Sequence, residues 1–250
     1  KPAGVPTIEP VFNLPAVWIS DVHRQECERN GYTVVDAPSV LVTHLSETIK
    51  KRCHEILTRQ DVQKLLDNLK DTHAAVVSEL IPEKLNVGHV QRVLQNLLAE
   101  GISIRNLPGI LEKLSDHADV TKNPDDLSEF ARTALGPALS RPFETEMGGM
   151  QAITFDPVFE QELARGLRQS ANEVTLAVEP GMAEHLVSNL STAVKNMITA
   201  GRPPLLLCAP QLRLAIRRFL ASSFNELAVL AYSEIPPQIE VQRAAIISNQ

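Results

Sequence analysis

Apolar residues fall four apart from Leu41 through Leu45, Ile49 and Cys53 to Leu57, which predicts one amphipathic helix over about 38–57. Val62, Leu65, Leu66 and Leu69 mark a second helical face within 60–70. Asn86 precedes a third, with Val87, Val90, Leu94, Leu97 and Leu98 inward and Gly101 at its end. Ile102-Ser103-Ile104 reads as a brief extended link. Asn106 opens a helix carrying Leu107, Ile110, Leu111 and Leu114, and Asn123-Pro124 is a cap followed by a first-turn proline. That last helix packs Leu127, Phe130, Ala131, Ala134 and Leu135.

The two ends follow other patterns. Pro2, Pro6, Pro10 and Pro15 make residues 1–17 an extended, poorly helical lead-in. Ser20 is placed to cap a short polar helix over 21–30, with Gly31 past its end. Tyr32 to Val35 reads as a β-branched strand, and Asp36 and Pro38 begin the helix at 38. Beyond Gly136-Pro137 and Gly148-Gly149, Met150 to Phe155 reads as a strand and Asp156-Pro157 starts a helix. A second helix runs from Glu179-Pro180 to Ala200-Gly201. Leu205 to Cys208 is a buried strand, Pro210 to Ser222 a helix, Leu227 to Tyr232 a buried strand and Val241 to Ile247 a last one. Strand–helix–strand order with short joints implies parallel pairing. The expected class is mixed α/β with several subdomains: a small α/β part over 1–58, an all-helical module over 59–137, and an α/β module with a mostly parallel sheet over 138–250.

Of the 250 residues 44% are apolar and 22% charged, enough to bury a core and too apolar for disorder. The net charge of −6 argues against a mainly electrostatic grip on nucleic acid. Cys27, Cys53 and Cys208 are odd in number and far apart, which fits thiols in a reducing compartment. No run reaches the ~18 apolar residues of a membrane helix, and no leader is visible. The chain opens Lys1-Pro2-Ala3-Gly4 without Met and reads as a piece of something longer.

Motifs for covalent chemistry are missing. There is no phosphate-cradling G-x-x-x-x-G-K-[ST], no G-x-G-x-x-G, no G-x-S-x-G and no H-E-x-x-H, so no catalytic residue, cofactor or metal ligand is assigned. His44, Cys53 and His54 do not share a helical face, which favours packing or solvent over ligation. The helix–Gly101–helix joint lacks the donors and cations of a DNA-reading helix. Arg213, Arg217 and Arg218 read as a solvated helix face, and Asp125-Asp126 as first-turn charge. A rival enzyme reading, resting on fold habit alone, puts a site at the C-terminal ends of Leu205–Cys208 and Leu227–Tyr232. The departure from the ordinary is at the start, where Phe12, Trp18 and Tyr32 are three of ten aromatic residues. On residue type alone they fit a core or an anchor for another protein.

Val93-Leu94-Gln95-Asn96-Leu97-Leu98-Ala99-Glu100-Gly101, with Ile104-Arg105-Asn106 and Ile110-Leu111-Glu112, resembles the flagellar/type III export-gate family, FHIPEP. Gly31 to Asp36, Thr43-His44-Leu45, Arg59 to Asp67 and Ala131 to Gly136 are similar to its cytoplasmic region. The resemblance runs from about Glu9 to the end, and Gln95 to Leu98 with Ala134-Leu135-Gly136 leans toward the flagellar rather than the injectisome branch. It implies the cytoplasmic part of a bacterial inner-membrane protein that forms a nonameric ring with itself, meets other export-apparatus components and touches the membrane only through a region outside this chain. In that scheme 1–58 is part of the second subdomain plus the terminal helix of the first, 59–137 the third, ring-forming subdomain, and 138–250 the fourth. The first subdomain's sheet is then absent, in keeping with the unpartnered stripe from Leu41 to Leu57. Export chaperones carrying cargo dock, by the same resemblance, on Phe12 with its acidic neighbour Glu9, and on Thr43 with Val35 and Val40 lining one dimple. The family pattern has Asp where this chain has Glu9.

Overall fold

Two short strands, β1 (Val5–Ile8) and β2 (Pro15–Trp18), open the computed structural model, which describes residues 2–145, 148–170, 174–224 and 226–249. They pair antiparallel, Val5 with Trp18 through Ile8 with Pro15, so the lead-in expected to be merely extended is a hairpin. Each strand of a two-stranded hairpin keeps an outer edge whose N–H groups need no partner, and Pro6 and Pro15 are tolerated for that reason. A 3-10 turn (Asp21–His23) then leads into α1 (Arg24–Arg29), with Gly31 at φ 80° beyond its end. Ser20 stands before that turn, but its side chain makes no capping bond.

Tyr32 to Val35 is irregular, not a strand, because β1 and β2 pair only with each other. α2 (Ala37–Ile56) begins one residue before the expected start, and the Val40 N–H donates to the Asp36 carbonyl. The first part of its stripe faces solvent: Leu41, Leu45 and Ile49 are 67%, 57% and 47% exposed. Cys53 is half-buried, and Leu57, past the helix end, packs on the helical core of the second unit. Among the described residues of Lys1–Ile56, which form one compact unit, only Cys27 is buried.

Leu57–Gln250 forms the second unit. Thr58 caps α3 (Arg59–Leu80) in a reciprocal box with Asp61, and the helix breaks at His73 (φ −133°, ψ 48°) before continuing past the expected 70. α4 (Val87–Ala99) starts on Asn86, which accepts from the His89 N–H, and α5 (Leu107–His117) starts on Asn106. α6 (Pro124–Ala134) starts on Asn123, and α7 (Gly136–Ser140) follows at once. Val62, Leu66, Val90, Leu94, Leu97, Ile110, Leu111, Leu114 and Leu127 make one core among these helices.

The remaining elements are β3 (Gly149–Phe155), α8 (Pro157–Arg165), a small hairpin of β4 (Leu167–Gln169) and β5 (Val174–Leu176), α9 (Pro180–Thr199), β6 (Leu205–Cys208), α10 (Pro210–Leu220), β7 (Ala228–Ala231) and β8 (Glu240–Ile247). The sheet runs β7-β6-β3-β8, all parallel. Helices α8, α9 and α10 cover one face through Phe159, Leu163, Leu186, Leu190, Leu212 and Ile216. The other face, carrying Met150, Leu205, Leu207 and Leu230, meets Leu139, Phe143 and Ile235. The class is mixed α/β, as expected.

Charge joins the helices to the sheet, and here the expectation for Arg213 fails. Its side chain is 0% exposed, on the same turn of α10 as buried Leu212 and Ile216. The guanidinium binds Glu100 (Nη1–Oε2 2.7 Å, Nη2–Oε1 2.9 Å) and Glu129 (both contacts 2.5 Å). Arg132, 2% exposed, binds Glu100 at 2.9 Å and also Glu234, whose Oε2 accepts the Ala231 N–H at 2.8 Å. Arg218 reaches Asp125 at 2.8 Å, so that first-turn acid is one half of an ion pair. Burial opposes ionisation of Glu100, but Arg213 and Arg132 together hold its carboxyl below the usual range. Glu129 is pushed up by burial, against the pull of Arg213. Beside this network Gly136 packs so tightly that a Cβ would lie 2.4 Å from the Glu234 carbonyl oxygen.

Candidate functional site

The hairpin turns over Glu9 to Leu14. Glu9 N–H donates to the Leu14 carbonyl (2.8 Å), and Asn13 N–H donates to the Glu9 carbonyl (3.0 Å). Asn13 sits at φ 56°, a left-handed conformation that Asn tolerates better than most residues. The Glu9 carboxylate accepts from the backbone N–H of Val11 (3.0 Å) and of Phe12 (2.7 Å). Phe12 is 68% exposed at the tip, with Ile8 and Leu14 exposed on either side.

The other three expected residues lie along the start of α2. Val35 is exposed in the irregular segment before it, Val40 is half-buried in its first turn, and Thr43 is exposed three residues on, which puts Val40 and Thr43 on one face. Hydrogen bonds thus bring Glu9 and Phe12 together, and helical spacing brings Val40 and Thr43 together. Sequence reasoning missed how Glu9 shapes the tip. An acid before Pro10, followed by Asn13, was the available turn signal.

At the strand ends proposed for an enzyme, polar groups are tied into the fold. The Ala209 N–H donates to Glu160 Oε1 at 2.7 Å, and Glu234 holds Arg132 and the Ala231 N–H. Cys208 is fully buried, and burial pushes its thiol far up, away from the thiolate a nucleophile requires. Tyr232 is raised by burial and then by Glu160. Among the described residues no three His, Cys, Asp or Glu groups are placed to hold a metal ion, and no helix is long and apolar enough to cross a membrane.

Residues 1–240 match the FHIPEP family. The chain is 36% identical over 244 residues to the flagellar biosynthesis protein FlhA of Bacillus subtilis (strain 168), covering 98% of this chain and 36% of that protein. It therefore spans about a third of that relative's length. The solved complex of Chlamydia pneumoniae CdsV with CdsO is 25% identical, with a TM-score of 0.81 over 93% of this chain and 68% of the solved one. Nonameric SctV-C from EPEC shares the fold at 23% identity, with a TM-score of 0.75 over 91% of this chain and 68% of that one. With a family match over nearly its whole length and the same fold in solved relatives, the chain belongs to the FHIPEP family.

Proposed function

We propose that this chain is a docking platform in the cytoplasmic part of a bacterial flagellar protein-export gate. It binds export chaperones with their cargo through Glu9, Phe12, Val35, Val40 and Thr43, and carries out no covalent chemistry. Residues 59–137 act as the ring-forming subdomain and 138–250 as the fourth, with 1–58 holding part of the second and the terminal helix of the first. The observation that carries the reading is Phe12, a large aromatic 68% exposed on a hairpin tip, while residues 2–56 bury only Cys27. Exposed aromatics that fit a partner's pocket are the usual anchors of interfaces. Ring assembly is supported by the shared fold of nonameric SctV-C, and the flagellar branch by the FlhA relatives at higher identity.

Calorimetric titration with a flagellar chaperone bound to its filament-type cargo tests the docking role. Full burial of a Phe contributes about 2–3 kcal/mol, so Phe12→Ala is expected to weaken binding by about 30- to 150-fold. Equal affinity of parent and variant, with matching circular dichroism, refutes the site.

A further inference from the structure

We propose that Glu9 is a positioning residue, whose carboxylate folds the hairpin tip and holds Phe12 outward before any partner arrives. This rests on the docking reading of Phe12 and adds how that residue is presented.

Four hydrogen bonds cross the loop, and Glu9 takes part in all of them: through its own N–H to Leu14, through its carbonyl from Asn13, and through its two carboxylate oxygens from Val11 and Phe12. Each carboxylate oxygen faces a backbone donor of the loop itself. Those donors belong to a one-turn bend that no other element caps, and Pro10 adds a fixed φ with no donor of its own. A carboxylate that accepts from the N–H groups two and three residues on is the Asx-turn arrangement, made here with one extra methylene.

No packing does this work instead. Ile8, Phe12 and Leu14 are 65%, 68% and 59% exposed, and Cys27 is the one buried residue described in the unit. The rigidity of the tip is therefore local and polar. Ordering a loop on association weakens binding, and a loop already shaped avoids that loss.

The test uses the 250-residue chain, calorimetry with a flagellar chaperone bound to its filament-type cargo, and amide exchange at Val11 and Phe12 by nuclear magnetic resonance. Phe12→Ala is the control for docking. Glu9→Ala is expected to bind about tenfold more weakly, the loss of a pair of charge-assisted bonds at an exposed site, with faster exchange at both amides. Glu9→Asn keeps an acceptor suited to the same turn without the charge. It is expected to recover most of the affinity and the slow exchange, at an unchanged salt dependence. Glu9→Asn binding as poorly as Glu9→Ala while both amides stay protected makes Glu9 a charge contact and overturns the proposal. So does parental affinity in Glu9→Ala when Phe12→Ala has lost binding. Parental affinity in Phe12→Ala removes the docking reading itself, and the positioning role falls with it.

Discussion

Replacing Arg213 by Met keeps the length of the side chain and removes the charge on which Glu100 and Glu129 converge. Glu100 retains Arg132 at 2.9 Å, whereas Glu129 loses both of its 2.5 Å contacts. Removing one partner of a buried pair costs about 3–5 kcal/mol, because the other charge is left without compensation. The Glu100 and Glu129 side chains are 20% and 24% exposed, so water relieves part of this and about 3 kcal/mol is expected. For a unit of nearly 200 residues that corresponds to a fall in Tm of about 6–12 °C. Heat unfolding should be followed by circular dichroism at about 222 nm, a wavelength set by helical backbone. Fluorescence will not serve, since the single tryptophan, Trp18, lies in the first unit. Adding Glu129→Gln to Arg213→Met removes the stranded charge and should recover part of the loss, so the two substitutions are not additive. A fall of less than about 3 °C in the single variant, roughly 1 kcal/mol, refutes the reasoning. Strict additivity in the double variant refutes it equally.

Three further outcomes follow from the same junction and its strand. Glu129 is pushed above its ordinary 4.5 by burial, against Arg213, so in the folded chain it releases its proton later than in the unfolded one. Such a group removes stability as pH climbs from about 4.5 through its folded value, and the stability of Glu129→Gln relative to the parent should rise between pH 4.5 and 7. A pH-independent difference in urea midpoints, or one of opposite sign, counts against this. Gly136→Ala forces a Cβ against the Glu234 carbonyl and should cost about 1–3 kcal/mol, read as a lower urea midpoint at unchanged slope. The Cys208 thiol, buried and shifted upward, should stay unlabelled by a water-soluble disulfide reagent at pH 8 until the chain is denatured, whereas labelling in the native state contradicts the burial.

Helix starts were legible where a capping residue precedes a periodic run, as at Asn86, Asn106 and Asn123, because the cap's chemistry is local. The sheet was legible because four-residue apolar strands such as Leu205–Cys208 are buried on both faces. The β1–β2 hairpin was not, since four prolines mask a pairing that depends on which edge each strand leaves open. Residues 71–80 of α3 were hidden by the break at His73, and β4 and β5, three residues each, are too short to show a period. Arg213 was misread because α10 places it beside Leu212 and Ile216, and burial of a cation depends on Glu100 and Glu129, more than 80 residues away. The docking residues came from resemblance alone. What the structure adds is the exposure of Phe12 and the bonds around Glu9, which depend on a turn that residue types indicated only faintly.

The pairing of β3 with β8 sets an order of events during synthesis. Gln151 lies opposite Gln242, 91 residues later, whereas the helical core is complete in sequence by Leu135. As the chain leaves the ribosome, that core has its partners long before the sheet has its last strand. Through that interval β3 presents an open edge where Gln151, Ile153 and Phe155 will later meet β8, and such an edge is a template for pairing with other nascent chains. Slow translation between residues 156 and 240 would lengthen this exposure without altering any contact of the finished fold. Synonymous codons in that stretch thus bear on yield, though they leave the protein's sequence unchanged.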